Sequence, residues 1–95
     1  MNKPLFTLTT QVENDRVMVN HLLFPAGGGH TQWHRHERDY VIVPMEDARL
    51  IMENAEGSKE VELKRGVSYY RDAGVEHNVI NPNDFDVTLI EIEIK

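Results

Sequence analysis

Short runs of alternating apolar residues, each ended by turn residues, restrict the fold of this chain more than any other feature. Residues two apart in a β-strand point to the same face, so such alternation is typical of strands with one buried face. No window of eleven or more residues keeps the period of an amphipathic helix. The pattern predicts one all-β domain over residues 1–95, a mostly antiparallel barrel or sandwich. The predicted strands are LFTLT at 5–9, RVMVNHLLF at 16–24, HTQWHRH at 30–36, YVIV at 40–43, ARLIMEN at 48–54, VELK at 61–64, VSYYR at 67–71, VEHNVIN at 75–81 and FDVTLIEIEIK at 85–95.

The composition excludes several classes of protein. The 95 residues include no cysteine, so disulfides, cysteine–zinc sites and thiol catalysis are excluded. A formal net charge of −6 makes nucleic acid an unfavourable partner, because the surface repels phosphate groups. No window approaches the roughly 18 apolar residues of a membrane span. We therefore expect a cytoplasmic protein that contacts neither membranes nor nucleic acids.

The apolar residues of the last predicted strand change parity along its length. Val87 and Leu89 occupy odd positions, whereas Ile90, Ile92 and Ile94 occupy even positions. Because neighbouring side chains point to opposite faces, either a bulge intervenes or both faces of the strand are covered. Coverage of both faces predicts that the isoleucines form a seam between the subunits of a homodimer. The alternative is an ordinary second core face.

His34 and His36 lie two residues apart on a predicted strand. Side chains at this spacing share a face and stand roughly 6.5 Å apart along the strand, so two imidazoles can converge on one metal ion. The alternative is a solvated polar face on which both histidines are ordinary surface residues. In a regular strand the same face also carries His30, Gln32, Arg38 and Tyr40.

Two histidines bind a metal ion too weakly on their own, so a third ligand must come from elsewhere in the chain. His77 is a candidate, because it lies on a short apolar strand just after the turn residues RDAG at 71–74. The alternative for His77 alone is a hydrogen-bonded histidine in the core or at its rim. The three histidines together indicate a metal site.

The spacing of glycines and histidines in two segments resembles the two sequence motifs of the cupin superfamily. In the first segment, Gly28 is followed by five residues and then by His34-Arg35-His36. The second segment matches every spacing of the family's second motif, with Asp72 in place of a proline. The matching residues are Gly66, Gly74, His77 and Asn81, the last of which is not a ligand in the family. The resemblance covers roughly residues 28–81 and implies a small single-domain protein with the cupin-type double-stranded β-helix, a jelly-roll barrel.

The resemblance implies that His34, His36 and His77 are metal ligands. The chain departs from the first motif at the fourth ligand, a glutamate in the family, because Tyr40 stands where the motif places it. Three alternatives follow. The first is a neutral three-histidine site, similar to that of the family's thiol and diketone dioxygenases, with Tyr40 beside the metal. The second is a twist that turns Asp39 inward, and the third is a polar pocket without a functional metal.

The candidate site predicts a small-molecule ligand or substrate. A divalent ion on three neutral histidines can polarise a carbonyl group or hold dioxygen beside a substrate, which favours dioxygenase- or isomerase-like chemistry. Tyr40 and Gln32 are expected to orient the substrate, and Tyr69 or Arg71 is expected to meet its anionic end. Imidazole suits Fe, Mn, Ni, Zn and Cu, so the sequence does not identify the metal. The alternative is a non-catalytic binding or sensory module with a degenerate or metal-free pocket.

Overall fold

Nine β-strands form the regular structure of residues 3–95, the part of the chain that the computed structural model describes. Each of the nine predicted strands overlaps an observed strand, so the all-β prediction is confirmed. Residues 3–95 contain no helix long and apolar enough to cross a membrane. The strands are β1 (Thr7–Glu13), β2 (Val17–Phe24), β3 (His34–Arg35), β4 (Asp39–Pro44), β5 (Ala48–Asn54), β6 (Gly57–Leu63), β7 (Tyr69–Arg71), β8 (Glu76–Ile80) and β9 (Val87–Ile94).

The strands pair into two sheets that share one core. The large sheet has the strand order β1-β2-β9-β4-β7, and the small sheet has the order β3-β8-β5-β6. Every pairing between these strands is antiparallel. The chain crosses repeatedly from one sheet to the other, as in a jelly roll, so the predicted mostly antiparallel barrel is confirmed.

Apolar side chains of both sheets fill the space between them. The large sheet contributes Leu22, Phe24 and Leu89, which are at most 5% exposed, and the small sheet contributes Leu50 and Leu63. Burial of a side chain of this size stabilises a fold by about 1.5–3 kcal/mol. This apolar cluster anchors the strands whose far ends carry the polar residues of the candidate site.

Strand β9 carries glutamates on its inner face and isoleucines on its outer face. Its register with β2 and with β4 is continuous, so the bulge considered for this strand is wrong. Val87, Leu89 and Glu91 are buried on the inner face, and Glu93 follows them. The isoleucines at positions 90, 92 and 94 point outward, and Ile94 is 43% exposed. The change of apolar parity along β9 therefore arises because Val87 and Leu89 lie on the inner face of the strand and the isoleucines lie on the outer face.

The segment around the first-motif histidines is not one regular strand. Only His34–Arg35 forms β3, because Gln32 takes a left-handed conformation, with a φ of +73°, that interrupts the extended backbone. His30 forms isolated bridges to Leu5 and Ile80 instead of continuing β3. The predicted strand over 30–36 is therefore wrong outside residues 34–35, and strand parity does not extend back through Gln32.

Candidate metal centre

The small sheet and one loop place the three predicted histidine ligands. His34 on β3 lies directly opposite His77 on β8. His36 follows β3, and the loop before β8 holds its main chain. The His36 N–H donates to the carbonyl oxygen of Val75 (2.9 Å), and the Gly74 N–H donates to the carbonyl oxygen of His36 (2.7 Å). Gly74 has a φ of +97°, a conformation that favours glycine, so a second-motif glycine positions a first-motif histidine.

The imidazole rings of His34, His36 and His77 converge on one point. Nε2 of His36 lies 3.0 Å from Nε2 of His34 and 3.1 Å from Nε2 of His77. An ion about 2.1 Å from two nitrogens, with a right angle between the two bonds, separates those nitrogens by about 3.0 Å. The donor set therefore fits one divalent metal ion. The structure brings together the three residues that the sequence indicated as ligands.

A main-chain contact sets the tautomer of His34. Nδ1 of His34 lies 3.0 Å from the carbonyl oxygen of Gln32, which only accepts, so Nδ1 carries the proton and Nε2 keeps its lone pair. Such a hydrogen bond orients a ligating histidine and raises its basicity. The Gln32 side chain is exposed and does not line the cavity described below. Gln32 therefore contacts the site through its main chain and not through the side-chain amide expected to orient a substrate.

Tyr40 lies on the inner face of β4, at the position where the first motif has its glutamate. Its ring stacks on the imidazole of His36, with centroids 3.9 Å apart and 19° between the planes. Tyr40 is 2% exposed, and burial raises the pKa of its hydroxyl, which stays protonated and able to donate. Asp39 does not turn inward, since its Oδ1 accepts a hydrogen bond from the Ala73 N–H (2.7 Å) and it does not line the cavity.

Two glutamates on the inner face of β9 belong to the site and were not predicted from the sequence. Glu91 is 6% exposed, and Asn20 Nδ2–H donates to its Oε1 (3.1 Å). Glu93 forms an ion pair with Arg38 at 3.3 Å. A ligand nitrogen of His36 and a carboxylate oxygen of each glutamate lie within 4.8 Å of one another. The sequence does contain one sign of their position. Glu91 and Glu93 continue the alternation of Val87 and Leu89, so all four side chains are expected on the same face of the strand.

The three histidines line a cavity of about 870 Å³ between the sheets. Arg71 lines the same cavity, with its guanidinium 4.7 Å from the centroid of the Tyr69 ring. In the part of the chain that the structure describes, no carboxylate lies within 4.0 Å of the Arg71 guanidinium. This cation is therefore available to an anionic ligand. His30 does not line the cavity. The apolar lining residues include Leu22, Phe24, Ile42 and Leu89.

Comparison with known proteins agrees with this geometry. The family model described as the cupin domain matches residues 20–93, which include both histidine segments. The chain belongs to the cupin family. The predicted family is thus confirmed, and the two sheets are those of the cupin double-stranded β-helix.

Two similar proteins span nearly the whole length of this cupin. Beta-alanine degradation protein BauB of Pseudomonas aeruginosa is 45% identical over 93 residues, which cover 98% of this chain and 97% of BauB. The crystal structure of a cupin domain from Bordetella pertussis Tohama I is 53% identical, covers 100% of this chain and 98% of that chain, and has a TM-score of 0.97. A putative mannose-6-phosphate isomerase from Ralstonia eutropha JMP134 has a TM-score of 0.72 at 10% identity, covers 99% and 92% of the two chains, and shares the fold alone.

The asparagine that closes the second motif is structural in this cupin. Asn81 is 0% exposed, and its main chain exchanges hydrogen bonds with the glycine loop of the first motif. The Asn81 N–H donates to the Gly29 carbonyl oxygen (2.8 Å), and the Gly28 N–H donates to the Asn81 carbonyl oxygen (2.7 Å). Its Nδ2 lies 2.9–3.1 Å from the carbonyl oxygens of Phe24, Pro25 and Phe85. Asn81 therefore ties the two motifs together without touching the metal centre.

Burial keeps two of the candidate ligands neutral. Burial, reinforced by His34 and His77, lowers the pKa of His36 from an ordinary value of 6.5 to about 4. Burial, reinforced by His34 and Arg71, lowers the pKa of His77 to about 4. Imidazole must be neutral to bind a metal ion. Both rings are therefore ready to bind at neutral pH without releasing a proton.

We expect the metal-free protein to lose stability as the pH falls from 6.5 to about 4. In this range the unfolded chain protonates His36 and His77 whereas the folded chain does not, so proton uptake favours unfolding. Above this range both states are neutral at these histidines, and their contribution is constant. The melting temperature of the EDTA-treated protein measures the effect, and the double variant His36→Asn/His77→Asn is expected to show a shallower profile. Identical profiles for the two proteins would show that these histidines do not titrate in this way.

Proposed function

We propose that this cupin is an enzyme that holds one divalent metal ion on His34, His36 and His77 and acts on a small carboxylate. The proposal is carried by the convergence of three imidazole nitrogens, 3.0 and 3.1 Å apart, in the wall of a cavity. A divalent ion bound there would supply Lewis acidity and open coordination positions, which suit dioxygenase- or isomerase-like chemistry. Imidazole ligands accommodate Fe, Mn, Ni, Zn or Cu.

Tyr40 is the residue that we propose orients the substrate. Tyr40 lines the cavity, and its protonated hydroxyl can donate one hydrogen bond to a substrate oxygen. Stacking on His36 fixes the orientation of the Tyr40 ring, so the distance between the hydroxyl and the metal centre is also fixed. Gln32 supports the centre through its carbonyl oxygen, which holds His34.

The charges in the cavity favour a substrate that carries a carboxylate group. Arg71 offers a guanidinium without a carboxylate partner in the described chain, and guanidinium binds carboxylates through paired hydrogen bonds. The relative from Pseudomonas aeruginosa is named a β-alanine degradation protein. Because the two chains are 45% identical over nearly their full lengths, we propose a short carboxylate related to β-alanine as the substrate class.

Binding of three probes with equal carbon chains tests this substrate class. We expect the zinc-loaded protein to bind propionate and β-alanine but not propylamine. Arg71→Ala is expected to weaken carboxylate binding about tenfold or more, because a hydrogen bond to a charged group contributes about 1.5–3 kcal/mol. Ligand-observed NMR measures the affinities. Arg49→Ala, which removes an arginine that does not line this cavity, is the control. Equal binding of propylamine and propionate, or unchanged affinity in Arg71→Ala, would contradict the proposal.

A non-catalytic binding module is the second candidate function. It is favoured by Tyr40, which leaves the first motif without the carboxylate that the family uses as a ligand. Incubation of the same probes with protein loaded with iron or manganese, followed over time by product analysis, separates the two candidates. Conversion of a bound probe supports the enzyme, whereas stable binding without product across a set of short carboxylates supports the module.

We propose that the protein is a homodimer formed through the outer face of the large sheet. A second copy is the favoured occupant because most side chains of this face are apolar. The five strands of three to eight residues span at most about 24 by 26 Å, somewhat less than the ~800 Å² that each subunit buries in a standard interface. The strand register places on this face the apolar side chains Val12, Val17, Val19, Leu23, Val41, Val43, Tyr70, Ile90, Ile92 and Ile94, together with the polar side chains Thr7, Thr9, His21, Asp39 and Thr88.

A further inference from the structure

Glu91 is a buried carboxylate that the three-histidine centre does not account for. It is 6% exposed and lines the cavity on the inner face of β9. The inward positions before it, Val87 and Leu89, are apolar, and its direct partner on β4 is Ile42. Burial of a carboxylate is unfavourable unless neighbouring groups compensate it. The burial of the Glu91 carboxylate is therefore not explained by packing alone.

A row of polar side chains across three neighbouring strands holds Glu91 in place. Thr10 Oγ1–H donates to Asn20 Oδ1 (2.8 Å), and Asn20 Nδ2–H donates to Glu91 Oε1 (3.1 Å). The three residues are direct partners in the register of β1, β2 and β9. Asn20 is 1% exposed, so this hydrogen bond is shielded from water. The row orients the carboxylate but supplies no positive charge.

No cationic side chain of residues 3–95 neutralises Glu91. Arg38 pairs with Glu93 at 3.3 Å, and no lysine, arginine or histidine of this part of the chain forms an ion pair with Glu91. Burial raises the pKa of Glu91, the Asn20 hydrogen bond opposes that rise, and the neighbouring Glu93 adds to it. A buried carboxylate without a counter-charge opposes folding. It becomes favourable beside a bound cation.

We infer that Glu91, on the last strand, provides the negative charge beside this metal centre that the glutamate of the first motif provides in the family. A ring nitrogen of His36 lies within 4.8 Å of a carboxylate oxygen of Glu91 and one of Glu93, so Glu91 adjoins the three-histidine centre through His36. Arg38 balances the charge of Glu93, so Glu91 would be the unbalanced carboxylate beside a divalent ion held on the imidazoles. The inference rests on the proposed three-histidine site and adds an anionic group to it.

The variant Glu91→Gln separates a metal-directed role from a structural one. The Gln oxygen still accepts from Asn20, so the polar row remains while the charge is removed. We expect the affinity for Co²⁺ or Zn²⁺ to fall about 10- to 100-fold, as for other groups that support metal ligands. The melting temperature of the metal-free variant is expected to equal or exceed that of the wild type, because a buried charge is lost. Glu91→Asp, which keeps the charge, is expected to retain more affinity than Glu91→Gln.

Competition with a chromophoric chelator measures the metal affinities, and Glu62→Gln is the matched control because Glu62 is exposed on β6. A loss in Glu91→Gln smaller than about fivefold, when the wild type binds and His77→Ala does not, overturns the inference and leaves the three-histidine site intact. A lower metal-free melting temperature with unchanged metal affinity shows that Glu91 is structural and also overturns it. A wild type that binds neither ion overturns the proposed metal site and the inference together.

Discussion

Replacing His77 by alanine is expected to reduce the divalent metal content of the dialysed protein from about one ion per chain to nearly none. His77 provides one of three nitrogens that lie close enough together to coordinate a single ion. Binding of structural zinc by four ligands contributes about 10–16 kcal/mol, so one ligand accounts for roughly 3 kcal/mol, or about a 100-fold change in affinity. Elemental analysis after dialysis, followed by competition with a chelator, measures both quantities.

The control for His77→Ala is a histidine outside the centre. His21 lies on the outer face of the large sheet, where it is opposite Thr9 and Ile90, so His21→Ala is expected to keep the metal content of the wild type. Circular dichroism checks that both variants stay folded. If His77→Ala binds metal as well as His21→Ala does, His77 is not a ligand and the three-histidine centre is wrong.

Replacing Ile92 by glutamate is expected to convert a dimer into a monomer. Ile92 lies in the middle of the proposed interface, directly opposite Val19 on β2 and Val41 on β4. A symmetric dimer would bring two new carboxylates into one apolar contact, which costs several kcal/mol. Light scattering after size exclusion measures the mass. The wild type is expected near twice the chain mass of 11.0 kDa, and the variant near 11.0 kDa.

Ser58→Glu is the matched control for Ile92→Glu, because it adds the same charge to an exposed strand of the small sheet. This variant is expected to remain a dimer. A wild type of 11.0 kDa at concentrations well above the micromolar range would contradict the proposed interface, and so would a dimer that persists in Ile92→Glu. Either result would mean that the outward-pointing isoleucines of β9 do not form a seam between subunits.

The strands could be predicted because alternation is a local property of the sequence. Where alternation is absent, the strand limits could not be read from it. Strand β6 begins at Gly57, but residues 57–60 are exposed and carry no apolar alternation. The predicted strand at 30–36 failed for a different reason. The left-handed conformation of Gln32 brings its carbonyl oxygen to Nδ1 of His34, and the alternation of apolar residues does not signal this local contact.

The histidines of the site could be predicted because two motifs gave their spacing, and the register then placed His34 opposite His77. Glu91 escaped prediction because its strand has two apolar faces. From the sequence alone, the isoleucines of β9 were the candidates for a buried face. In the structure, the glutamates between them continue the buried face of Val87 and Leu89. Deciding between the two faces required the register with β2 and β4, which is a long-range property. Asn20, which orients Glu91, is likewise recognised only after these strands pair.

Anomalous diffraction from a crystal grown with Mn²⁺ or Co²⁺ is the most direct test of the metal centre. We expect a single strong peak inside the barrel, about 2.1–2.2 Å from the Nε2 atoms of His34, His36 and His77. A crystal with no peak at this point, or with the ring of any of the three histidines turned away from the other two, would contradict the account.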